Sequence, residues 1–76
     1  MRDLVEFMAR GLVDKPEAVQ VTETESDGTV VLEISVDADD VGKIIGKKGR
    51  IISSVRTVVK AAAIQEGKRV RVEVIS

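Results

Sequence analysis

The 76-residue sequence contains no cysteine and no histidine. Without cysteine there is neither a disulfide framework nor a thiol nucleophile. Because cysteine and histidine are both missing, a zinc finger cannot form. The absence of histidine also removes the commonest general base. Since no nucleophile–base pair and no cofactor motif is visible either, we expect a protein that is not an enzyme and that holds no metal and no cofactor.

Aromatic residues are almost absent, and Phe7 is the only one. Hydrophobic residues make up 43% of the chain, and because they are aliphatic apart from Phe7, the predicted core is aliphatic. No apolar run approaches the length of a membrane span, and the N-terminus lacks the apolar segment of a signal peptide. We therefore expect one soluble, cytoplasmic domain over residues 1–76, near the lower size limit for a single hydrophobic core.

Charge is distributed unevenly, although the formal net charge is only −1. Residues 1–40 contain eleven acidic and three basic residues. Residues 41–65 contain no acid and six bases, which are Lys43, Lys47, Lys48, Arg50, Arg56 and Lys60. A basic segment in an otherwise acidic chain favours an anionic ligand, although any one of these side chains could simply be solvated.

Apolar periodicity and turn residues divide the chain into six elements. We predict helices over residues 2–12, 39–45 and 50–65, and strands over residues 18–25, 29–36 and 68–75. Ser26-Asp27-Gly28 predicts the turn of a hairpin, and Asp37, Asp39 and Asp40 predict capping of the short helix. The resulting order, α-β-β-α-α-β, predicts an α+β fold.

The loop Gly46-Lys47-Lys48-Gly49 lies between the two predicted neighbouring helices. Backbone N–H groups at the start of a helix attract anions, and glycine lets a sugar-phosphate backbone lie directly against the chain. The two lysines add positive charge for phosphate. Ile45 and Ile52 flank the loop, where they could support a base, pack in the core, or do both. The pattern favours single-stranded nucleic acid over a plain helix–helix turn.

The segment IIGKKGRII resembles the GxxG signature of K-homology (KH) domains. The element order is that of the type II topology, and the whole chain is similar to the small stand-alone bacterial KH proteins of the KhpA family. The segments that carry this wider similarity are KPEAVQV, DDVGKIIGKKGR, VRTVVKAAA and KRVRVEVIS. The resemblance implies a type II KH fold in which a three-stranded sheet is packed on one side by helices.

The resemblance also implies a site for single-stranded RNA, about four nucleotides long. In this interpretation Gly46, Lys47, Lys48 and Gly49 clamp the backbone, and Ile34 and Val36 of the second strand form the opposite wall. The residues that line or support the groove between them are Gly42, Lys43, Ile45, Arg50 and Ile52. Because both variable loop positions are lysine, we expect contact with phosphate and low sequence selectivity.

Protein partners are implied by the resemblance alone. They are a second KH protein of the KhpB (Jag or EloR) kind, or a second copy of this chain. The implied role is that of an RNA chaperone or post-transcriptional regulator linked to cell division, cell shape and cell-wall growth. The alternative is a protein-interaction or dimerisation module in which RNA binding is weak or secondary.

Overall fold

Six regular elements follow one another in the order predicted from the sequence. A computed structural model describes residues 1–75. Its helices are α1 (Arg2–Leu12), α2 (Val41–Ile45) and α3 (Arg50–Gln65), and its strands are β1 (Gln20–Ser26), β2 (Thr29–Ser35) and β3 (Arg69–Ile75). Three short 3₁₀ turns join them, at Pro16–Ala18, Ala38–Asp40 and Lys47–Gly49. The α+β class and the α-β-β-α-α-β order are confirmed.

The predicted boundaries fail where the chain tightens into a 3₁₀ turn. β1 begins at Gln20 instead of residue 18, because Pro16–Ala18 already forms such a turn. α2 begins at Val41 instead of residue 39, because Ala38–Asp40 forms another. Of the three aspartates predicted to cap the short helix, Asp37 caps the 3₁₀ turn instead, since its carboxylate accepts the backbone N–H of Asp39 at 2.9 Å, and Asp40 at the start of α2 makes no side-chain cap.

The sheet has the strand order β1-β2-β3, with β2 in the centre. β1 and β2 pair antiparallel around Asp27 and Gly28, whose positive φ angles of 52° and 76° suit a two-residue hairpin turn. β2 and β3 pair in parallel, as a crossover through two helices allows. Within residues 1–75, β3 pairs on one side only and is therefore an edge strand that lies next to α3.

The core is aliphatic and lies between the helices and one face of the sheet. Alternate residues of β2 are buried, namely Val30, Leu32 and Ile34. The helices contribute Val5, Ala9, Ile44, Ile52, Val55, Val59 and Ala63. The opposite face of the sheet stays uncovered, which confirms a sheet packed by helices on one side. None of the helices within residues 1–75 is long and apolar enough to cross a membrane.

Asp40 is the one buried charged residue among residues 1–75, with a relative exposure of 1%. Its carboxylate accepts the backbone N–H groups of Asp14 and Lys15 at 3.3 and 3.0 Å, and Lys43 Nζ lies 3.4 Å away. Burial alone would raise the pKa of Asp40, but these hydrogen bonds outweigh burial and hold the pKa below its ordinary value of 3.8. Asp40 therefore joins the segment after α1 to the start of α2.

We expect Asp40→Asn to lower the melting temperature of the protein. An amide keeps one acceptor oxygen and places an NH₂ group against a backbone N–H, so at least one of the two hydrogen bonds is lost. Asp39→Asn is the matched control, because the Asp39 side chain is 84% exposed and surface substitutions change stability by only about 0.5 kcal/mol. Thermal unfolding followed by circular dichroism measures both variants.

The effect of Asp40→Asn should depend on pH. Because the pKa of Asp40 is lower in the folded state, the unfolded chain takes up the proton first as the pH falls. The stabilisation is complete above the ordinary value of 3.8 and disappears as the pH falls through the lower folded value. The difference in melting temperature between wild type and Asp40→Asn should therefore narrow below that pH. A constant difference at every pH would contradict this account.

Candidate nucleic-acid interface

The chain reverses direction between α2 and α3 in four residues, Gly46 to Gly49. The backbone N–H of Gly46 donates to the carbonyl of Gly42 at 2.8 Å, and that of Gly49 donates to the carbonyl of Gly46 at 3.1 Å. Three of the four residues have positive φ, namely Gly46 at 76°, Lys48 at 57° and Gly49 at 72°. Both lysines are exposed, so the turn presents their ammonium groups and its own backbone to solvent.

The two loop glycines differ in what surrounds them. A Cβ atom added at Gly46 would lie 2.5 Å from Ile51 Cγ1 and 2.8 Å from Ile51 Cβ. A Cβ atom added at Gly49 would meet no atom within 4 Å. Gly46 is therefore required by the packing of α3 against the loop, whereas the space beside Gly49 is open. Ile51 was not among the predicted site residues, although the Ile51-Ile52 pair one residue after the loop was an available signal.

The isoleucines around the loop have separate roles. Ile52 is 4% exposed and Ile44 is 1% exposed, so both anchor their helices in the core. Ile45 is half-buried and packs against the edge of the core. Of the two residues predicted to flank the loop, Ile52 thus has almost no surface for a ligand, and Ile45 has some.

Ion pairing divides the twelve basic residues of the chain into two groups of six. One group pairs with acids and consists of Arg2, Arg10, Lys15, Lys43, Lys68 and Arg71. The other group forms no ion pair with residues 1–75 and consists of Lys47, Lys48, Arg50, Arg56, Lys60 and Arg69. The unpaired positive charge is therefore concentrated at the loop and along α3.

Lys43 differs from the other basic residues of the predicted site because it has acidic partners. Its ammonium lies 2.6 Å from the Asp14 carboxylate and 3.4 Å from that of Asp40. The hydrogen bond to Asp14 raises the pKa of Lys43 above its usual value. The charge of Lys43 is thus balanced within the protein.

The strand that lies beside α3 is β3, and not the central strand β2 that carries Ile34. Ile34 is on the central strand and 1% exposed, so its side chain offers no surface to a ligand, and Val36 is half-buried. A cleft of about 290 Å³ runs instead between α3 and β3, lined by Arg56, Lys60 and the segment 70–73. The Arg56 guanidinium donates to the Val72 carbonyl at 3.1 Å and so crosses this cleft. The role of Ile34 and Val36 as a wall of an RNA site stays a prediction, and the strand that borders the cleft beside α3 is β3.

Comparison with known proteins identifies close relatives over the whole chain. The family model described as "KhpA/KhpB, KH domain" matches residues 2–74. A protein named RNA-binding protein KhpA, from Clostridium perfringens, is 55% identical over 75 residues, which cover 99% of this chain and 100% of that protein. The protein of the same name from Aquifex aeolicus is 45% identical and is covered to 95% of its length.

A solved structure has the same fold. In the crystal structure of Era in complex with MgGDPNP and nucleotides 1506–1542 of 16S ribosomal RNA, the matching part has a TM-score of 0.64 and 24% sequence identity. The match covers 97% of this chain but only 30% of the Era chain. This likeness concerns the fold alone.

We expect Gly46→Ala to destabilise the protein more than Gly49→Ala. Both substitutions place a side chain at a positive φ angle, but Gly46, with ψ at 172°, lies in a region that essentially only glycine adopts, whereas Gly49, with ψ at 17°, lies in the left-handed helical region that costs alanine less. Only the methyl at position 46 overlaps Ile51, and overpacking of this kind costs about 1–3 kcal/mol. Urea unfolding of both variants measures the difference. Equal free energies of unfolding would contradict this account.

Proposed function

The chain belongs to the KhpA/KhpB family of KH domains, and we propose that it binds single-stranded RNA as a single domain. We also propose that it catalyses no reaction. In this proposal the Gly46–Gly49 loop, which we name the clamp, holds the phosphate backbone. The observation that carries the proposal is that all five basic residues between positions 47 and 60 lack an acidic partner in residues 1–75. They are Lys47, Lys48, Arg50, Arg56 and Lys60.

The unpaired charges support phosphate binding because nothing nearby offsets them. Where a base has a carboxylate within about 4 Å, the field of the pair falls off quickly, as at Lys43. Lys47, Lys48 and Arg50 are exposed and have no such neighbour in residues 1–75. A polyanion near the clamp therefore meets a local positive field although the whole chain has a net charge of −1.

Two glycines with open space beside them, Gly42 and Gly49, support a close approach of the RNA backbone. Gly42 lies inside α2, where glycine costs about 1 kcal/mol relative to alanine. Added Cβ atoms at Gly42 and Gly49 would touch no other part of the protein. At Gly42 neither packing nor a positive φ angle requires glycine, so the open backbone suits a ligand that lies directly on it.

The backbone conformation of Lys48 supports a role for its side-chain charge in binding. Its φ angle of 57° lies in the left-handed region, which costs an ordinary residue roughly 1–2 kcal/mol. Glycine would avoid that strain, and backbone strain of this kind is concentrated at functional sites. A lysine at this position is therefore explained by what its ammonium binds.

The cleft between α3 and β3 supports a place for the bases. β3 has one edge unpaired by another strand within residues 1–75, so backbone groups there other than the Val72 carbonyl, which Arg56 occupies, are available to base edges. Arg56 and Lys60 border the cleft on the α3 side. Since the clamp contacts are to phosphate and the cleft contains no aromatic side chain, we propose low sequence selectivity, as suits a cytoplasmic RNA chaperone or post-transcriptional regulator.

We expect Lys47→Gln/Lys48→Gln to weaken RNA binding and to reduce its dependence on salt. Each phosphate contact to a single strand contributes about 0.7 to the slope of log K against log salt concentration, so the slope should fall by about 1.4. Fluorescence anisotropy with a short, unstructured, labelled RNA over a salt series measures the slope. Circular dichroism verifies that the variant folds.

The matched control is Arg2→Gln/Lys15→Gln, which removes the same amount of charge from two ion-paired residues. We expect its slope to stay close to that of the wild type. If both double variants lose the same slope, binding follows net charge and not the clamp. If the folded wild type does not bind the RNA at all, the proposed function is wrong for this chain by itself.

Pairing with a second KH domain is a second candidate function, favoured by the surface of α3. Ile64 is 76% exposed and Val58 is 47% exposed, with the exposed Ala61 between them on the helix. Exposed apolar side chains in a row mark an interaction site more often than scattered ones do. We propose a second copy or a KhpB-type chain as the partner, because a pair would bring two clamps to one RNA.

We expect the wild type to sediment at twice the chain mass of 8.2 kDa and Ile64→Asp to sediment at the single-chain mass. A carboxylate at position 64 would be buried without a partner in the pair. Thr22→Asp is the control, because it adds the same charge at an exposed position on β1. A wild type that is monomeric at every concentration would exclude self-pairing.

A further inference from the structure

Phe7, the only aromatic residue of the chain, lies on the surface. It belongs to α1, and 78% of it is exposed. The aliphatic core is complete without it, since α1 is anchored through Val5 and Ala9. An exposed aromatic ring offers a flat apolar face on which another planar group can stack.

Phe7 lines an open groove between α1 and α3. The groove has a volume of about 720 Å³ and is largely open to solvent. Its walls are apolar, with Met8 and Leu12 on the α1 side and Ile51 and Val58 on the α3 side. It can therefore receive a flat, weakly polar group such as a nucleobase.

The charged groups at the groove are positive. Arg10 and Arg50 line it, and no acidic residue does. Arg10 is held at 2.8 Å from Glu6 on its own helix, whereas Arg50 pairs with no acid in residues 1–75. An apolar groove with a free guanidinium at its rim matches a nucleotide, which combines an apolar ring face with an anionic phosphate.

The groove is continuous with the clamp. Arg50 and Ile51 line the groove and directly follow Gly49 in the chain. The side chain of Ile51 is also the group that packs against Gly46. A strand held at the clamp thus leaves it beside the groove, on the side of α3 that faces α1.

We infer that this groove holds a base of the single-stranded RNA next to the clamped nucleotides, stacked on the ring of Phe7, with its phosphate at Arg50. The inference rests on the proposed function and adds a second contact region to it. Stacking on an aromatic ring tolerates any base, so this contact lengthens the bound RNA without making it sequence-specific.

The sequence allows a direct test by NMR. The chain has one Phe and no Tyr, Trp or His, so all aromatic ring signals of the ¹³C-labelled protein come from Phe7. Three unlabelled RNAs serve as probes: one of about four nucleotides, one of about ten with extra bases on both sides, and the same longer chain with abasic flanks. The longer RNA should shift the Phe7 ring signals upfield, and the other two should not.

The matching affinity measurement uses Phe7→Leu, which keeps an apolar side chain and removes the ring. We expect it to weaken binding of the longer RNA by roughly 5-fold or more and to leave binding of the short RNA unchanged. Ile75→Ala is the control, because Ile75 is apolar and 46% exposed but does not line the groove. It should change neither affinity.

Other outcomes would overturn the inference in distinguishable ways. If the short RNA binds but the longer one leaves the Phe7 signals and the Phe7→Leu affinity unchanged, the clamp stands and the groove holds no base. If the ring signals shift with protein concentration alone and Phe7→Leu changes the sedimenting mass, the groove is a protein interface. If neither RNA binds, the proposed function fails together with the inference.

Discussion

The contact between the backbone of Gly46 and the side chain of Ile51 determines the geometry of the candidate site. A methyl group at position 46 would lie 2.5 Å from Ile51 Cγ1, so the observed packing of Ile51 of α3 against the end of α2 requires a residue without a Cβ atom there. With the helices so close, Ile44 and Ile52 are both buried in the same core. The short connection that remains exposes Lys47 and Lys48. One steric contact thus links the stability of the fold to the presentation of the loop.

Segregation of charge gives an acidic chain a basic surface. Most ion pairs use acids from the first forty residues, and they bind the bases that lie near them in space, such as Arg2, Lys15 and Lys43. The bases from Lys47 to Lys60 have no acidic neighbour in sequence and gain none within residues 1–75 on folding. Because electrostatic interactions in water are short-ranged, a distant excess of acids does not cancel this local field. Net charge is therefore a poor guide to what such a surface attracts.

Asp40 and Lys43 couple the N-terminal part of the chain to the loop. The Asp40 carboxylate binds two backbone N–H groups of the segment after α1, and Lys43 lies between Asp40 and Asp14. These contacts fix α2 relative to α1, and α2 carries the loop at its end. They also explain why Lys43, which belongs to the basic segment by sequence, is electrostatically unlike Lys47 and Lys48. α1 and α3 then form the two walls of the groove in which Phe7 is exposed.

The sequence by itself determined the elements and the loop. The bounds of α3 follow from a helical stripe between two glycines, the hairpin follows from Asp27-Gly28, and the tight loop before α3 follows from Gly46 and Gly49. Each of these features depends on residues that are close in sequence. Tertiary structure decided which strand lies beside α3, that Ile34 is closed to ligands, that Lys43 is paired and that Phe7 stays outside the core. These outcomes depend on how the elements pack, and local periodicity does not specify contacts such as that between Asp14 and Lys43, which lie 29 positions apart.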